Sequence, residues 1–191
     1  MQKKGIRSID SIDKPLDPQK KDLLQKFPSL FEGVGTLQDH EVEFHIDPAI
    51  PPVCQRARLI PFHLRNKLDE ELANMEEQDI IEEHHGPSPW VSNIVLAPKD
   101  NGAIRITLDM REPNKAIKPI KMPIPRLEEV RAELSDYKLF SKLDFRTAYH
   151  QLKLSRESQN MTVFHAGDRL MRYKRLTMGS VPASGELAIA L

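Results

Sequence analysis

The sequence has little that would cross-link the chain or anchor it in a membrane. Its 191 residues include one cysteine, Cys54, so a disulfide within the chain is excluded and a reducing compartment is favoured. No apolar run is long enough to span a bilayer. The N-terminus, MQKKG, lacks the apolar segment of a secretory signal. We therefore expect an intracellular protein of the cytoplasm or nucleus that is not secreted and does not bind a membrane.

An excess of charge of either sign is also absent. Lys and Arg number 28, as do Asp and Glu, and the formal net charge is zero. A nucleic-acid partner would therefore have to be bound by local basic patches. Hydrophobic residues make up 39% of the chain and charged residues 29%, which is typical of a soluble domain that buries a core. The length corresponds to one domain or slightly more.

The first part of the chain shows one polar arm and two short structured patterns. Residues 1–21 are polar and contain two prolines, which favours a linker. The apolar spacing over 22–30 predicts a short helix. Strict alternation over 41–46 predicts a half-buried strand. The buried face of that strand consists of Val42, Phe44 and Ile46.

An amphipathic helix is predicted to begin at Pro61. Its apolar positions are Leu64, Leu68, Leu72 and Met75. The preceding segment, 53–59, is extended and basic, and from these residues alone an edge strand with solvated arginines is the better interpretation. Two further short helices are predicted, one over 126–134 and one that begins at Pro182.

Two hairpins are predicted from turn residues between β-rich runs. The first runs from residue 91 to 109 around Asp100-Asn101-Gly102. Ile104, Ile106 and Leu108 share one face of its return strand, and Arg105, Thr107 and Asp109 the other. The second runs from 161 to 176 around Ala166-Gly167-Asp168. Its basic residues favour either a path for a nucleic-acid backbone or a solvated face: His165, Arg169, Arg172, Lys174 and Arg175.

The most specific signal is the run from Phe140 to Gln151, which reads FSKLDFRTAYHQ. An apolar-flanked run places Asp144 at its end, and a carboxylate at the end of a buried strand is held rigidly enough to bind a catalytic metal. A lone aspartate at such a position more often caps a turn. The whole run, however, resembles the first carboxylate motif of reverse transcriptases of Ty3/gypsy retrotransposons, FSKLDL(R/K)(S/T)(G/A)YHQ.

Other segments resemble the same family in the same order. Residues 53–59 are similar to PVRQRPRRLP, and 88–114 are similar to SPWxSPIVLVxKKDGxxRxCVDYRxLN. Residues 161–179 are similar to TAFxxxxGxYxFxxLPFG, although Leu176-Thr177-Met178-Gly179 diverges from LPFG. The resemblance covers 44–191 and identifies the chain as the N-terminal portion of a reverse transcriptase domain from an LTR retrotransposon Pol polyprotein.

This resemblance implies an α+β fold, in which an antiparallel sheet with flanking helices forms fingers and a partial palm. Residues 1–40 would be an N-terminal arm with one short helix. Residues 41–139 would be a fingers-like region with a hairpin tip near 99–105. Residues 140–191 would be the first half of a palm, truncated before its end.

The implied function is RNA-templated DNA synthesis, a nucleotidyl transfer that uses two Mg²⁺ ions. Asp144 matches the first metal-binding aspartate, and the backbone of Phe145 adds a carbonyl oxygen in the family. Tyr149 matches the residue beneath the incoming sugar that excludes a 2′-hydroxyl, and Ala148 lines the same pocket. Taken alone, Tyr149 would be a core tyrosine. The implied partners are an RNA/DNA template–primer and deoxynucleoside triphosphates.

The resemblance assigns two fingertip residues to the triphosphate. Arg105 matches an arginine that clamps the phosphates, and Lys99 matches the accompanying lysine. A two-residue turn at Asn101-Gly102 would place Lys99 opposite Ile104, so that Arg105 faced the other way. Both side chains reach one phosphate chain only if the loop is longer.

The family's second motif, an aromatic-x-Asp-Asp hairpin, has no counterpart in this sequence, nor do the thumb and ribonuclease H parts of the polyprotein. One carboxylate does not hold two Mg²⁺ ions. We therefore expect the chain to be a fragment that is catalytically inactive by itself. The alternative is a non-enzymatic nucleic-acid-binding or interaction remnant of a decayed or domesticated element.

Overall fold

The computed structural model describes residues 3–4, 18–99, 102–120, 122–123, 126–135, 137–138 and 144–190. It contains α-helices together with mainly antiparallel strand pairs, which confirms the predicted α+β class. In chain order they are β1 (Lys3–Lys4), α1 (Pro18–Lys26), β2 (Gly35–Thr36), β3 (Glu41–Val42), α2 (Arg65–Glu77), β4 (Ile81–Glu83), β5 (Ile94–Pro98), β6 (Ile104–Leu108), α3 (Pro113–Ala116), α4 (Leu127–Leu134), β7 (Lys153–Leu154), α5 (Arg156–Gln159), β8 (Val163–Ala166), β9 (Arg169–Tyr173) and α6 (Ala183–Ala190).

A three-stranded antiparallel sheet in the order β4-β9-β8 forms the centre of the fold. The predicted hairpin around Ala166-Gly167-Asp168 is present: Ala166 pairs with Arg169, so its turn contains two residues. Its first residue, Gly167, has a φ of 70°, which glycine adopts without steric cost. Phe164, Met171 and Tyr173 are fully buried in this sheet. The strands β5 and β6 form a second antiparallel pair, and β3 and β7 form a parallel one.

Helix α2 packs its apolar face across β6 and β4. Leu68, Leu72 and Met75 are buried, as the helical spacing predicted, and Leu64 lies in a preceding 3₁₀ turn where it is half-buried. The helix ends before Asp79, which has a left-handed φ of 57°, and the Ile80 amide then bonds back to the Met75 carbonyl at 2.9 Å. This turn directs the chain into β4.

The predicted strand over 41–46 is only partly present. Glu41 and Val42 pair with β7, and Val42 and Phe44 are buried as expected. Ile46 is 39% exposed, so its assignment to the buried face was wrong. The physical reason is a change of partner: beyond Val42 the chain pairs with 116–118 instead, where the Lys118 amide donates to the His45 carbonyl at 2.7 Å.

The helices also depart from their predicted limits. The predicted helix 22–30 begins earlier, at Pro18, and stops at Lys26, because Pro28 has no amide hydrogen to continue it. Residues 18–21 are therefore helical and not linker. Helix α4 begins at Leu127 and is capped by Glu129, whose carboxylate accepts from the Arg126 amide at 2.8 Å.

Candidate functional site

The segment 144–151 carries four of the predicted site residues on one tight turn. The predicted strand before it, 140–143, lies outside the described residues. Asp144 is exposed at the start of the turn. Thr147 has a φ of 45°, which is unusual for a β-branched residue, and a 3₁₀ helix follows from Ala148 to Gln151. The buried Gln151 amide donates to the Arg146 carbonyl at 2.9 Å and so holds this strained turn closed.

The positions of this turn that the resemblance assigns to a nucleotide pocket are only partly exposed. Phe145, Ala148 and Tyr149 are each half-buried. Tyr149 packs against the hydrophobic core, and α6 contacts the 3₁₀ helix. The packing agrees with a core tyrosine, and the residue as a whole remains partly exposed.

His150 points the other way, into the protein. Its Nδ1 atom is buried without a hydrogen-bond partner, and its ring lies 6.1 Å from that of Tyr173. Burial, with a further contribution from the charge of Arg175, lowers the pKa of His150 to about 4. Burial also raises the pKa of the Tyr173 hydroxyl. The His150 imidazole beneath this turn is therefore neutral at pH 7.

We predict that His150 makes the fold sensitive to acid. In the unfolded chain the imidazole takes up a proton near pH 6.5, whereas in the folded chain it does so only near 4. Between these values the unfolded state binds more protons, so the free energy of unfolding falls as the pH drops, by about 3 kcal/mol in total. Denaturant unfolding at pH 7 and pH 4.5 measures it. His150→Gln should lose this part of the pH dependence, and His63→Gln, at an exposed position, should keep it; equal dependence in all three would contradict the prediction.

The fingertip hairpin has a longer loop than a two-residue turn. Ala97 pairs with Arg105 and Pro98 with Ile104, and the Lys99 amide donates to the Ala103 carbonyl at 2.8 Å. Lys99 therefore lies opposite Ala103, with three residues between them. The two-residue alternative, which placed Lys99 opposite Ile104, is wrong.

The two predicted triphosphate residues have different surroundings in this structure. Ile104, Ile106 and Leu108 face the core, and Arg105 is exposed on the opposite face, as predicted. Lys99 is turned toward α2, where its Nζ lies 3.1 Å from a carboxylate oxygen of Glu71. Lys67, also on α2, donates to the Gly102 carbonyl at 2.7 Å. Helix α2 thus supports the hairpin tip and currently holds Lys99 in an ion pair.

In the basic run of the second hairpin, Arg169 is exposed and His165 and Lys174 are half-buried, whereas the other two arginines do not lie on a solvated face. Arg172 and Arg175 are buried. Arg172 donates through Nε to Glu82 at 2.7 Å and pairs with it again through Nη2. Arg175 donates to the Asp79 carbonyl at 3.0 Å, and Lys174 pairs with the Asp79 carboxylate. Both interpretations were therefore wrong for these residues, because acidic residues of the α2–β4 turn and of β4 neutralise them.

Residues missed by the sequence interpretation form a second polar cluster at the base of the first hairpin. Asn93 is buried, with a backbone and side chain that bond to Gln55, Arg56 and Arg58. Asp109, predicted to share a strand face with Arg105 and Thr107, is also buried and pairs with Arg111 at 2.7 Å. One signal was available: Asn93 stands where the family pattern SPWxSPIVLV has its second proline.

The described residues do not complete a magnesium site. Within them, no group of three or more His, Cys, Asp or Glu side chains could hold a metal ion. Asp144 is exposed and chemically suited to Mg²⁺, but further ligands would have to come from elsewhere. No helix in the described part of the chain is long and apolar enough to cross a membrane.

The chain was compared with protein-family models, with curated proteins and with solved structures. No protein-family model matches the chain. It is 28% identical over 164 residues to an uncharacterized protein of Caenorhabditis elegans, which spans 84% of this chain and 13% of the relative. It is 32% identical over 98 residues to the retrovirus-related Pol polyprotein from transposon 412 of Drosophila melanogaster. That match covers 48% of this chain and 8% of the polyprotein. Transposon Tf2-3 polyprotein of Schizosaccharomyces pombe is 27% identical over 45% of this chain and 6% of its own.

Among solved structures, the native prototype foamy virus protease–reverse transcriptase superposes with a TM-score of 0.75 at 19% identity, over 90% of this chain and 23% of that one. The foamy viral protease–reverse transcriptase in complex with an RNA/DNA hybrid superposes with a TM-score of 0.69 at 18% identity. This superposition covers 90% of this chain and 23% of that one. The chain thus spans less than a quarter of the length of each of these relatives and structures. The chain is similar to retrotransposon Pol polyproteins and has the fold of part of a reverse transcriptase.

Proposed function

We propose that this chain is the portion of a Ty3/gypsy-type reverse transcriptase that binds an RNA/DNA template–primer and the incoming deoxynucleotide. The observation that carries the proposal is the exposed Asp144 at the head of a strained, buttressed turn within a reverse transcriptase fold. A reverse transcriptase of the same fold is known in complex with an RNA/DNA hybrid. We place its action in the cytoplasm or nucleus.

The proposal assigns a role to each predicted site residue. Phe145, Ala148 and Tyr149 would form the nucleotide pocket beside Asp144, and core packing would hold Tyr149 there. Arg105 would contact the triphosphate from the exposed face of β6. Lys99 would join it by exchanging Glu71 for a phosphate oxygen, which costs little because a partly exposed ion pair contributes at most about 1 kcal/mol.

Mg²⁺, when bound, would neutralise charge on the transferring phosphates. Asp144 is the ligand that this chain would contribute, and further carboxylates would come from other parts of the polyprotein. The 191-residue polypeptide alone should therefore bind nucleic acid without extending a primer.

Binding of a fluorescein-labelled 20-base-pair RNA/DNA hybrid to the 191-residue chain tests the proposal. Phosphate contacts predict that the logarithm of the association constant falls linearly with the logarithm of the salt concentration. A Mg²⁺-dependent primer-extension assay of the same polypeptide should remain at background. Flat or absent binding would exclude a nucleic-acid role for the chain, and detectable extension would show that its metal site is complete.

A non-enzymatic nucleic-acid-binding or interaction remnant is the second candidate. It is favoured by the lack of a metal-binding group among the described residues. The native product that contains this chain distinguishes the two candidates. A product that extends primers supports the polymerase. A product that binds the RNA/DNA hybrid but does not extend a primer supports the remnant.

A further inference from the structure

A cavity of about 370 Å³ lies between the loop 29–38 of the N-terminal arm and the residues that follow β9. Exposed residues of the loop, among them Ser29 and Glu32, form its mouth. The buried Arg175 side chain and Gln78, at the end of α2, line it from the protein side. None of the predicted site residues is among the described residues that line this cavity. It is therefore separate from the 144–151 turn, and its volume is within the range of small-molecule sites.

Two glycines shape the loop on the outer side of the cavity. Gly33 and Gly35 have left-handed φ values of 66° and 75°, which glycine adopts without steric cost. A Cβ added at Gly33 would meet nothing within 4 Å, so the backbone conformation and not a lack of space requires glycine there. The turn that these residues form brings Thr36 to Arg175, whose Nη1 donates to Thr36 Oγ1 at 2.8 Å. The sequence of the arm thus sets the position of the loop relative to the buried arginine.

Arg175 lines the cavity with part of its hydrogen-bonding capacity unused. Besides the bond to Thr36, its Nε donates to the Asp79 carbonyl at 3.0 Å and its Nη2 to Asp79 Oδ2 at 3.3 Å. A guanidinium has five N–H groups, so two of them have no protein partner within the described part of the chain. Only 8% of the side chain is exposed, and a buried donor without an acceptor is costly. These two groups therefore favour an acceptor inside the cavity.

The ion pairs behind the cavity leave an excess of positive charge. The network contains two carboxylates, Asp79 and Glu82. These pair with four cations: Arg156, Arg172, Lys174 and Arg175. The excess among these described residues is therefore two positive charges, and the charge of Arg175 acts on the core as well, because it adds to burial in lowering the pKa of His150. Glu32 at the mouth opposes an anion, but it is exposed and solvent screens its charge. A doubly charged anion in the cavity would balance the network.

We propose that this cavity is a binding site for a tetrahedral oxyanion of the phosphate class, and that Arg175 is the residue that holds it. The two unbonded N–H groups of the guanidinium suit the oxygens of such an ion, and the hydroxyl groups of Ser29 and Thr36 are further donors in the lining. The excess of two positive charges favours a dianion over a carboxylate. Free phosphate and a phosphate monoester share this chemistry. The site goes beyond the proposed function and does not rest on it.

Isothermal titration of the 191-residue chain with sodium phosphate at pH 7 and constant ionic strength tests the site. We expect binding at one site with a Kd on the order of 1 mM, and binding of acetate at least about tenfold weaker. Methyl phosphate, in which an ester replaces one oxygen, represents the phosphate group of a larger molecule. Tighter binding of free phosphate would assign the site to the inorganic ion, and equal or tighter binding of methyl phosphate would assign it to a monoester.

Substitutions in the lining test the role of charge in this site. Gln78→Glu adds a negative charge to the lining at nearly constant size and should weaken phosphate binding at least about tenfold. Gln25→Glu, at an exposed position of α1 outside the lining, is the matched control and should change the affinity by less than about twofold. Glu32→Gln removes the carboxylate at the mouth and should strengthen binding about threefold. Arg175→Lys keeps the charge but loses the planar fork and should weaken binding at least about tenfold; Gln78→Glu tests the site if that variant does not fold.

The pKa of His150 reports whether the ion binds beside Arg175. Sulfate is a suitable probe because it stays doubly charged over the range in which this imidazole titrates. Because it offsets the charge of Arg175, sulfate should raise the pKa of His150 from about 4 by about 0.5, relative to chloride at equal ionic strength. The NMR signal of the histidine Cε1–H groups measures the titration, with the exposed His63 as internal reference.

The outcomes separate this site from the proposed function. Absence of saturable phosphate binding, or equal affinities in Gln78→Glu and Gln25→Glu, would overturn the site. Binding that leaves the pKa of His150 the same in sulfate and chloride would overturn Arg175 as the residue that holds the ion. None of these results affects the proposed function, which hybrid binding and primer extension test.

Discussion

Substitution of Asp144 by asparagine is expected to lower the rate of primer extension about a thousandfold in a polymerase-active product that contains this chain. The amide is nearly the same size as the carboxylate but has no charge for a divalent cation. Asp144 is exposed at the start of the 144–151 turn, and that turn is held by Gln151 and the core. The variant should therefore fold normally and bind an RNA/DNA hybrid with unchanged affinity.

Single-turnover extension on an RNA template measures this effect, with hybrid affinity and thermal melting measured in parallel. Asp168→Asn is the matched control, because Asp168 is also exposed but lies in the β8–β9 turn. That substitution should leave the rate within twofold of the wild type. An Asp144→Asn rate within tenfold of the wild type, with normal folding, would show that Asp144 is not a required metal ligand.

Local patterns predicted the elements of this fold well. The spacing of Leu68, Leu72 and Met75 gave the buried face of α2, since a helix returns to one face every three to four residues. The alternation of Ile104 and Ile106 gave the buried face of β6 for the same kind of reason. In both elements the spacing of the apolar residues along the sequence is enough to predict which face is buried.

Long-range pairing was the part that local patterns could not predict. Arg172 and Arg175 have the spacing of a solvated basic face, and only the fold brings Glu82 and Asp79 to them across some 90 residues of sequence. Asp109 follows a strand of strict alternation, yet it is buried because Arg111 and Arg58 converge on it. Asn93 forms bonds to residues more than 30 positions away. A departure from a family pattern, as at Asn93, is the one sequence signal that points to such sites.

The candidate site also has a part that local sequence predicts and a part that depends on long-range pairing. The run around Asp144 was recognisable because its residues are consecutive, and consecutive residues necessarily share one turn. The relation between Lys99 and Arg105 depended on loop length, which only the register of β5 and β6 decides. Even then, Lys99 is engaged by Glu71 on α2, a contact that no pattern in the hairpin itself predicts.

Removal of the Glu82 carboxylate by Glu82→Ala is expected to destabilise the fold by about 4 kcal/mol, because the buried Arg172 guanidinium would lose its counter-charge. Arg156 also donates to the same carboxylate oxygen at 2.8 Å. Burial alone would raise the pKa of Glu82, but the hydrogen bonds from Arg172 and Arg156 outweigh it and lower that pKa. The stabilisation is therefore present above the ordinary glutamate pKa and is lost as the pH falls.

The neighbouring residue supplies the control for this prediction. Glu83 lies on the opposite face of β4, with a side chain that is 41% exposed and 3.8 Å from both His85 and Arg169. Glu83→Ala should cost less than about 0.5 kcal/mol in urea unfolding at pH 7. Equal costs for the two alanine variants would mean that Arg172 retains solvent or another partner in the folded state.

A further variant separates the cost of an unpaired charge from the contribution of the pair. Glu82→Leu combined with Arg172→Met removes both charges and leaves apolar side chains of similar length, and a buried pair replaced in this way commonly changes stability little. We expect the double variant to recover most of the stability lost in Glu82→Ala. If it does, the ion pair adds little net free energy to the fold. If the double variant is as unstable as Glu82→Ala, the bond from Arg156 to Glu82 and the bond from Arg172 to Asn160 also stabilise the fold, and Glu82 and Arg172 belong to a wider structural network.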